Sequence, residues 1–271
     1  GMGFLQHKGT NLFNARVITR NGRITTEEAS VIAEAARLYG DGHMMMTTRL
    51  TIEVSGIAYH DIDAFCAHLA NAGLSVGGTG SKVRPVVSCK ATTCQYGLYD
   101  AYALSDEIHT RFYQGYRGVS LPHKFKIATG GCPNNCVKPT LNDLGIVGAR
   151  VPQYHIEDCR SCKKCQLEEA CPIHAAKKNA DGKLEIDAEL CNHCGRCIGK
   201  CPFHCNDEGV DGYKVYVGGR WGKKIAHGQM LHKIFMDQNE VLDTVEKAIL
   251  LFRSAGESGE RFADTINRIG F

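Results

Sequence analysis

The sequence predicts an α+β fold whose second half is interrupted by a cysteine-rich insert. Over roughly the first 75 residues, apolar positions switch between a period of two and helical spacing. Between 155 and 206 the composition shifts to closely spaced cysteines, and from 211 strand and helix patterns resume. The expected division is residues 2–75, residues 76–154 with 207–271, and the insert 155–206.

Length and composition narrow the function classes. A chain of 271 residues makes one large domain or two to three small ones with a sizeable core. A net charge of +3 gives no reason to expect nucleic acid or an anionic membrane as partner. No apolar run approaches the ~18–20 residues of a membrane-spanning helix, and no signal peptide is visible. No membrane insertion and a cytoplasmic location are therefore expected. Gly1 ahead of Met2 is read as a cloning remnant. The 14 cysteines fall largely into C-x-x-C runs, which points to metal ligation in a reducing compartment rather than to disulfides.

In chain order, residues 14–20 read as a strand closed by Asn21-Gly22. Thr25 and Glu28 form a capping box, Ala29, Ile32, Ala33 and Ala36 make one helical face, and Gly40 ends it. The following strand places Met44, Met46, Leu50, Ile52 and Val54 on its core side, with Thr47, Arg49, Thr51 and Glu53 opposite. A helix from Asp61 buries Ile62, Phe65, Cys66 and Leu69, so Cys66 is expected to be a buried thiol. Gly77, Gly78 and Gly80 mark a loop, 83–88 a strand, 100–114 a helix, and 124–128 and 144–148 further strands. After the insert, Tyr213–Gly218 reads as a strand. Val241, Val245, Ile249 and Phe252 mark a helix, and a last helix covers roughly 258–268.

Two cysteine pairs, Cys89 with Cys94 and Cys132 with Cys136, can supply four thiolates to one site. Spacing alone leaves iron–sulfur and zinc both open. The insert is more specific. Cys159-x2-Cys162-x2-Cys165-x5-Cys171-Pro and Cys191-x2-Cys194-x2-Cys197-x3-Cys201-Pro follow the two-cluster bacterial ferredoxin pattern, in which each fourth cysteine serves the other cluster. Cys159, Cys162, Cys165 and Cys201 are thus expected on one 4Fe-4S cluster, and Cys191, Cys194, Cys197 and Cys171 on a second. His174, His193 and His204 are expected at the surface or behind the ligands, and Cys66 and Cys205 are left over. Lys124 and Lys126 alternate with Phe125 and Ile127, so both face one way just before the second cysteine pair, and Arg84 stands five residues ahead of Cys89. Cations so placed suit a small oxyanion, although solvated surface is the ordinary place for such charges.

Cys89-x4-Cys94 with Gly131-Cys132-Pro-Asn-Asn-Cys136 resembles the siroheme and 4Fe-4S signature of the sulfite/nitrite reductase family, which spaces its first pair by five residues where this chain has four. Thr47-Thr-Arg49, Arg84-Pro-Val-Val-Ser-Cys89 and Leu121-Pro-His-Lys-Phe-Lys126 resemble its anion- and siroheme-contacting segments. The resemblance implies a sulfite-reductase half: a ferredoxin-like α/β half-domain, a siroheme/4Fe-4S α/β domain, and an inserted bacterial ferredoxin domain with two clusters. Cys89, Cys94, Cys132 and Cys136 would then hold a third 4Fe-4S cluster, with Cys136 bridging to siroheme iron. Arg49, Arg84, Lys124 and Lys126 would be substrate-pocket cations, and Gly218, Gly219 and Arg220 would approach the siroheme carboxylates. The implied activity is six-electron reduction of sulfite to sulfide. Nitrite reduction to ammonia, or a non-catalytic electron carrier without siroheme, are the alternatives. An electron-donor protein or reductase subunit is the implied partner. The large assimilatory enzymes carry two such halves, with cations and cluster in different halves. Here a homodimer or sister subunit completes the site, or one subunit suffices.

Overall fold

A computed structural model describes residues 2–271; Gly1, set aside above, lies outside them. The first unit comprises β1 (Phe4–Gln6), β2 (Leu12–Val17), α1 (Thr26–Tyr39), β3 (Met44–Met46), β4 (Ile52–Ala58) and α2 (Ile62–Ala70). Its four antiparallel strands run in the order β1-β2-β4-β3. The capping box starts α1: Thr25 Oγ1 accepts the Glu28 N–H at 3.1 Å, and the Glu28 carboxylate accepts the Thr25 N–H at 2.7 Å. Ile32, Ala35 and Ala36 of α1 and Phe65 and Leu69 of α2 pack on Ala15, Val17, Ile52, Val54 and Ile57.

The methionine expectation is overturned. Met44 and Met46 are exposed, at 40% and 76%. The chain does not run straight from 44 to 54: it turns over Thr47–Leu50, where Leu50 takes φ +58° and its N–H returns to the Thr47 carbonyl. Met44 and Met46 do pair with Val54 and Ile52, but on an edge strand that contributes nothing to the core beneath α1 and α2. The same turn moves Arg49 off the polar face of a strand. Cys66, expected buried, is half-buried.

The second unit continues with β5 (Val87–Ser88), α3 (Ala101–Ile108, extended by a π-helical turn to Gln114), β6 (Ile127–Gly130) and β7 (Leu144–Gln153). The cysteine-rich segment adds only α4 (Gln166–Ala170), β8 (Ala176–Lys178) and β9 (Leu184–Ile186). The chain then re-enters the sheet through β10 (Glu208–Val217) and β11 (Gln229–Phe235) and ends in α5 (Gln238–Ala255) and α6 (Phe262–Ile269). The sheet order is β11-β10-β7-β6-β5, with β5, β6 and β7 parallel and β10 and β11 antiparallel. Lys124 and Lys126 precede β6 rather than lying within it. Phe125, Phe252 and Phe262 form the centre of the core, with ring centroids 5.1–5.9 Å apart. The insert leaves the sheet at the end of β7 and returns at the start of β10. These strands pair antiparallel from Leu144↔Val217 to Gln153↔Glu208, so its two stems are adjacent.

Candidate redox site

Parallel strands β5 and β6 deliver the two central cysteine pairs side by side. The Cys89 N–H donates to the Thr129 carbonyl at 3.0 Å, and the Gly131 N–H donates to Cys89 Sγ at 3.1 Å. Burial pushes the Cys132 thiol up, the Asn134 N–H pulls it partly back, and the charges of Cys89, Cys136 and Cys94 push it up again. Cys132 thus lies within the field of the other three sulfurs. Cys136 is the exposed member. The loops interlock so tightly that a Cβ on Gly131 would sit 1.8 Å from Ala91 Cβ, and one on Gly148 2.3 Å from the Gly131 carbonyl. Glycine is required there by close backbone approach.

In the insert, the cysteines line two cavities. One is lined by Cys159, Cys162, Cys165 and Cys201, with Cys205 beside them. The other is lined by Cys171, Cys191, Cys194 and Cys197. Each cavity thus takes three cysteines of one run and the fourth of the other. Left-handed residues recur at matching places: Ser161 and His193 two residues after the first cysteine of each run, His174 and His204 three after the last. Histidine tolerates this conformation better than most residues, which accounts for His174 and His204 on the exposed turns, whereas His193 is half-buried. Burial raises the Cys171 thiol, but the N–H groups of Ala176, Ile173, Ala175 and His174 more than offset it, and its pKa falls. Cys205, unassigned by spacing, is buried and donates its S–H to Cys201 Sγ at 3.1 Å. Burial and that neighbour push it up to about 12.

Among the described residues, no three His, Cys, Asp or Glu side chains converge closely enough to hold a single metal ion. Thiolates around a cluster stand at its corners, farther apart than the ligands of one ion. Buried polar atoms without partners give an independent test of fit. Tyr99 Oη lies by Cys89 and Cys132, Tyr154 Oη by Cys159, and the Asn206 amide by Cys197. Each cysteine set thus has an orphaned polar group beside it, which the sulfur atoms of a cluster would satisfy. The residues fit iron–sulfur clusters.

The insert docks through its second loop. The Arg150 N–H donates to the His193 carbonyl at 2.8 Å, and Arg150 bridges to Cys194. Cys132 and Cys194 face one pocket, along with Tyr96, Arg150 and Arg196. The set containing Cys194 is therefore the inner one.

The cations gather elsewhere. Arg49 donates to the Pro85 carbonyl (2.8 Å), the Ile127 carbonyl (3.0 Å) and Asn142 Oδ1 (2.9 Å), tying the first unit to the second. Burial lowers its pKa to about 10. Arg84 donates to the Gly78 and Gly80 carbonyls. Burial, then Arg49, Arg261 and Lys124, drive Lys126 down to about 8, with Asp143 opposing. Lys124 is lowered by burial and by Arg261 and Arg84. Among the described residues, Arg49, Arg84, Lys124 and Lys126 form no ion pair. Their neighbours do: Arg16 with Glu53, Arg220 with Asp264, and Arg261 with fully buried Asp143 at 2.9 Å. Sequence reasoning missed Arg261, Asp143 and Arg16, which come from distant segments with no motif to mark them.

This patch lies at the N-terminal ends of β5, β6 and β7, and the central cysteines at their C-terminal ends. Gly218, Gly219 and Arg220 follow β10 and fall at the cationic end: the Gly218 N–H donates to the Asp143 carbonyl at 2.9 Å. A Cβ on Gly219 would lie 2.2 Å from the Thr140 carbonyl, so packing alone requires that glycine.

Three cysteine-lined sites in a mixed α+β frame, with a separate patch of unpaired cations, are the build of an iron–sulfur oxidoreductase. Residues 79–271 match the nitrite and sulphite reductase 4Fe-4S domain, and residues 4–72 match the nitrite/sulfite reductase ferredoxin-like half domain. The chain belongs to the nitrite and sulphite reductase family, whose cofactors are of the iron–sulfur and siroheme type. It is 31% identical over 248 residues to the coenzyme F420-dependent sulfite reductase of Methanocaldococcus jannaschii, covering 90% of this chain but 38% of that protein. It is 28% identical over 269 residues to one subunit of the anaerobic sulfite reductase of Salmonella typhimurium, covering 90% of this chain and 73% of that relative. The crystal structure of dissimilatory sulfite reductase I superposes with a TM-score of 0.75 at 21% identity, over 96% of this chain and 67% of that one. No helix among the described residues is long and apolar enough to cross a membrane.

Proposed function

We propose that this chain reduces sulfite to sulfide at a siroheme site fed by three 4Fe-4S clusters in series. The observation that supports it best is the group of four cations without carboxylate partners. Asp143, the carboxylate that acts on Arg49, Lys124 and Lys126, is already held by Arg261. Packing like charges together is costly, and a bound anion offsets that cost. In this reading Cys159, Cys162, Cys165 and Cys201 hold the outer cluster, Cys171, Cys191, Cys194 and Cys197 the inner one, and Cys89, Cys94, Cys132 and Cys136 the central one. Cys136 would be the residue next to siroheme, which would supply the redox chemistry for the bound oxyanion.

The side chains divide the remaining work. Arg49 has spent most of its N–H groups on the protein, so it contributes charge and fixes the pocket floor. Arg84, Lys124 and Lys126 keep donors for the oxyanion. Lys126, with its pKa near 8, can give up a proton near neutral pH as oxygen leaves as water. The Gly218-Gly219 turn and Arg220, whose guanidinium is held by Asp264, would lie nearest the siroheme carboxylates.

One chain does not bring the two parts of this site together. From Ile127 to Cys132 the backbone runs about 16 Å if extended. A second subunit, identical or related, therefore completes each site, pairing the cations of one chain with the central cluster of the other.

Lys126→Ala should lower sulfite turnover by about 10²–10³ while iron and sulfide content stay unchanged; undiminished turnover removes Lys126 from the pocket. In the unaltered protein, sulfite binding should weaken as pH rises through about 8 and the Lys126 ammonium is lost. Parallel kcat/KM values for nitrite decide between the two anions. Mixing the Lys126→Ala chain with a Cys132→Ala chain should restore turnover if two copies share sites.

A further inference from the structure

Lys214 is the one lysine in the buried polar set of the described residues, with 5% of its surface exposed. It lies mid-strand in β10, opposite Val147 of β7 and Ile234 of β11. Its Nζ donates to the Asn192 carbonyl at 3.0 Å, between two of the cysteines that line the inner cavity. Among the described residues it forms no ion pair with a carboxylate. Burial lowers its pKa, and the thiolates of Cys191 and Cys194, the charges that face it, oppose that shift. His193 also faces it, and burial first and then this ammonium lower the imidazole's pKa.

A buried ammonium without a carboxylate is costly unless something anionic takes that place. A 4Fe-4S cluster with its four thiolates is anionic, and it gains one further negative charge on reduction. A fixed cation beside it therefore stabilises the reduced state more than the oxidised one, and net local charge is one of the settings of cluster potential.

We propose that Lys214 is a tuning residue for the inner cluster, raising the reduction potential of the cluster held by Cys171, Cys191, Cys194 and Cys197. This rests on the cluster reading given above. One electron enters from the outer cluster and one leaves towards Cys132, supplied by a protein reductant. Raising the potential at this position draws the electron inward. Of the lysines lining the outer cavity, Lys164 is exposed and Lys178 half-buried, so solvent screens both more than it screens Lys214, and they exert less of this effect.

The test is a redox titration of the anaerobically purified holoprotein, followed cluster by cluster by electron paramagnetic resonance. Lys214→Gln keeps a donor for the Asn192 carbonyl and removes the charge. It should lower the reduced-to-oxidised ratio of one cluster at least tenfold at a given potential, 59 mV for one electron, and leave the other two unmoved. Lys214→Arg, which keeps the charge, should stay near the wild-type value. An unshifted potential in Lys214→Gln overturns the proposal, as does an equal shift in all three clusters. Loss of the inner cluster from Lys214→Gln also overturns it, since the lysine would then be a structural prop. Unaltered protein lacking iron and sulfide at this site would overturn the cluster reading itself, a separate and earlier result.

Discussion

The body of the protein and its insert are held together by different means. Around the five-stranded sheet, 23 buried apolar residues form one core, from Ile18 to Ile266. In the insert the corresponding core is Leu167, Ala176 and Leu184, and the partly buried groups packed on it are mostly cysteines. A segment of about fifty residues cannot bury enough apolar surface to fold by that means alone. The difference teaches that the body is held by its apolar core, whereas the insert needs another source of stability, which the proposed clusters would supply.

Removing iron anaerobically with a chelator should sharpen that contrast most. Residues 155–206 should lose their amide-exchange protection entirely, while β6, the first half of β7 and α5 keep theirs; a still-protected insert would erase the distinction. Phe125→Ala should work in the opposite sense. It opens the three-ring centre of the body and should cost about 3–5 kcal/mol in denaturant unfolding. Under native conditions the insert should remain as protected as before. The smallest effect belongs to the first unit: Thr25→Ala removes the cap of α1 and should cost about 1 kcal/mol, read as faster exchange confined to the start of that helix.

Legibility followed the same line. Where chemistry is local, the residues announced it. Thr25 and Glu28 lie three apart and form the capping box, and the closely spaced cysteines of the insert gather around two cavities. Where position depends on what packs above, the pattern misled. Met44 and Met46 alternate as core residues do, yet no element covers the edge strand they occupy. The short β1 and the later β11 carry too little periodicity to stand out. Arg261 and Asp143 lie 118 residues apart and meet only because α6 folds back over the start of β7. The orphaned groups of Tyr99, Tyr154 and Asn206 likewise have no signature, because each gains meaning only from the sulfurs beside it. The four predicted cations are gathered by the fold, but at the far end of the strands from the central cysteines, a separation that spacing along the chain does not encode.

The seam where Ala91, Gly131 and Gly148 meet has a consequence for how this protein can change. Backbone abuts backbone there, so no side chain can be enlarged without driving the two cysteine loops apart. Adjustment of the central site has to come from its open side at Cys136. Drift in the sequence is thereby channelled outward, and the middle of the molecule is left with almost no neighbouring alternatives to explore.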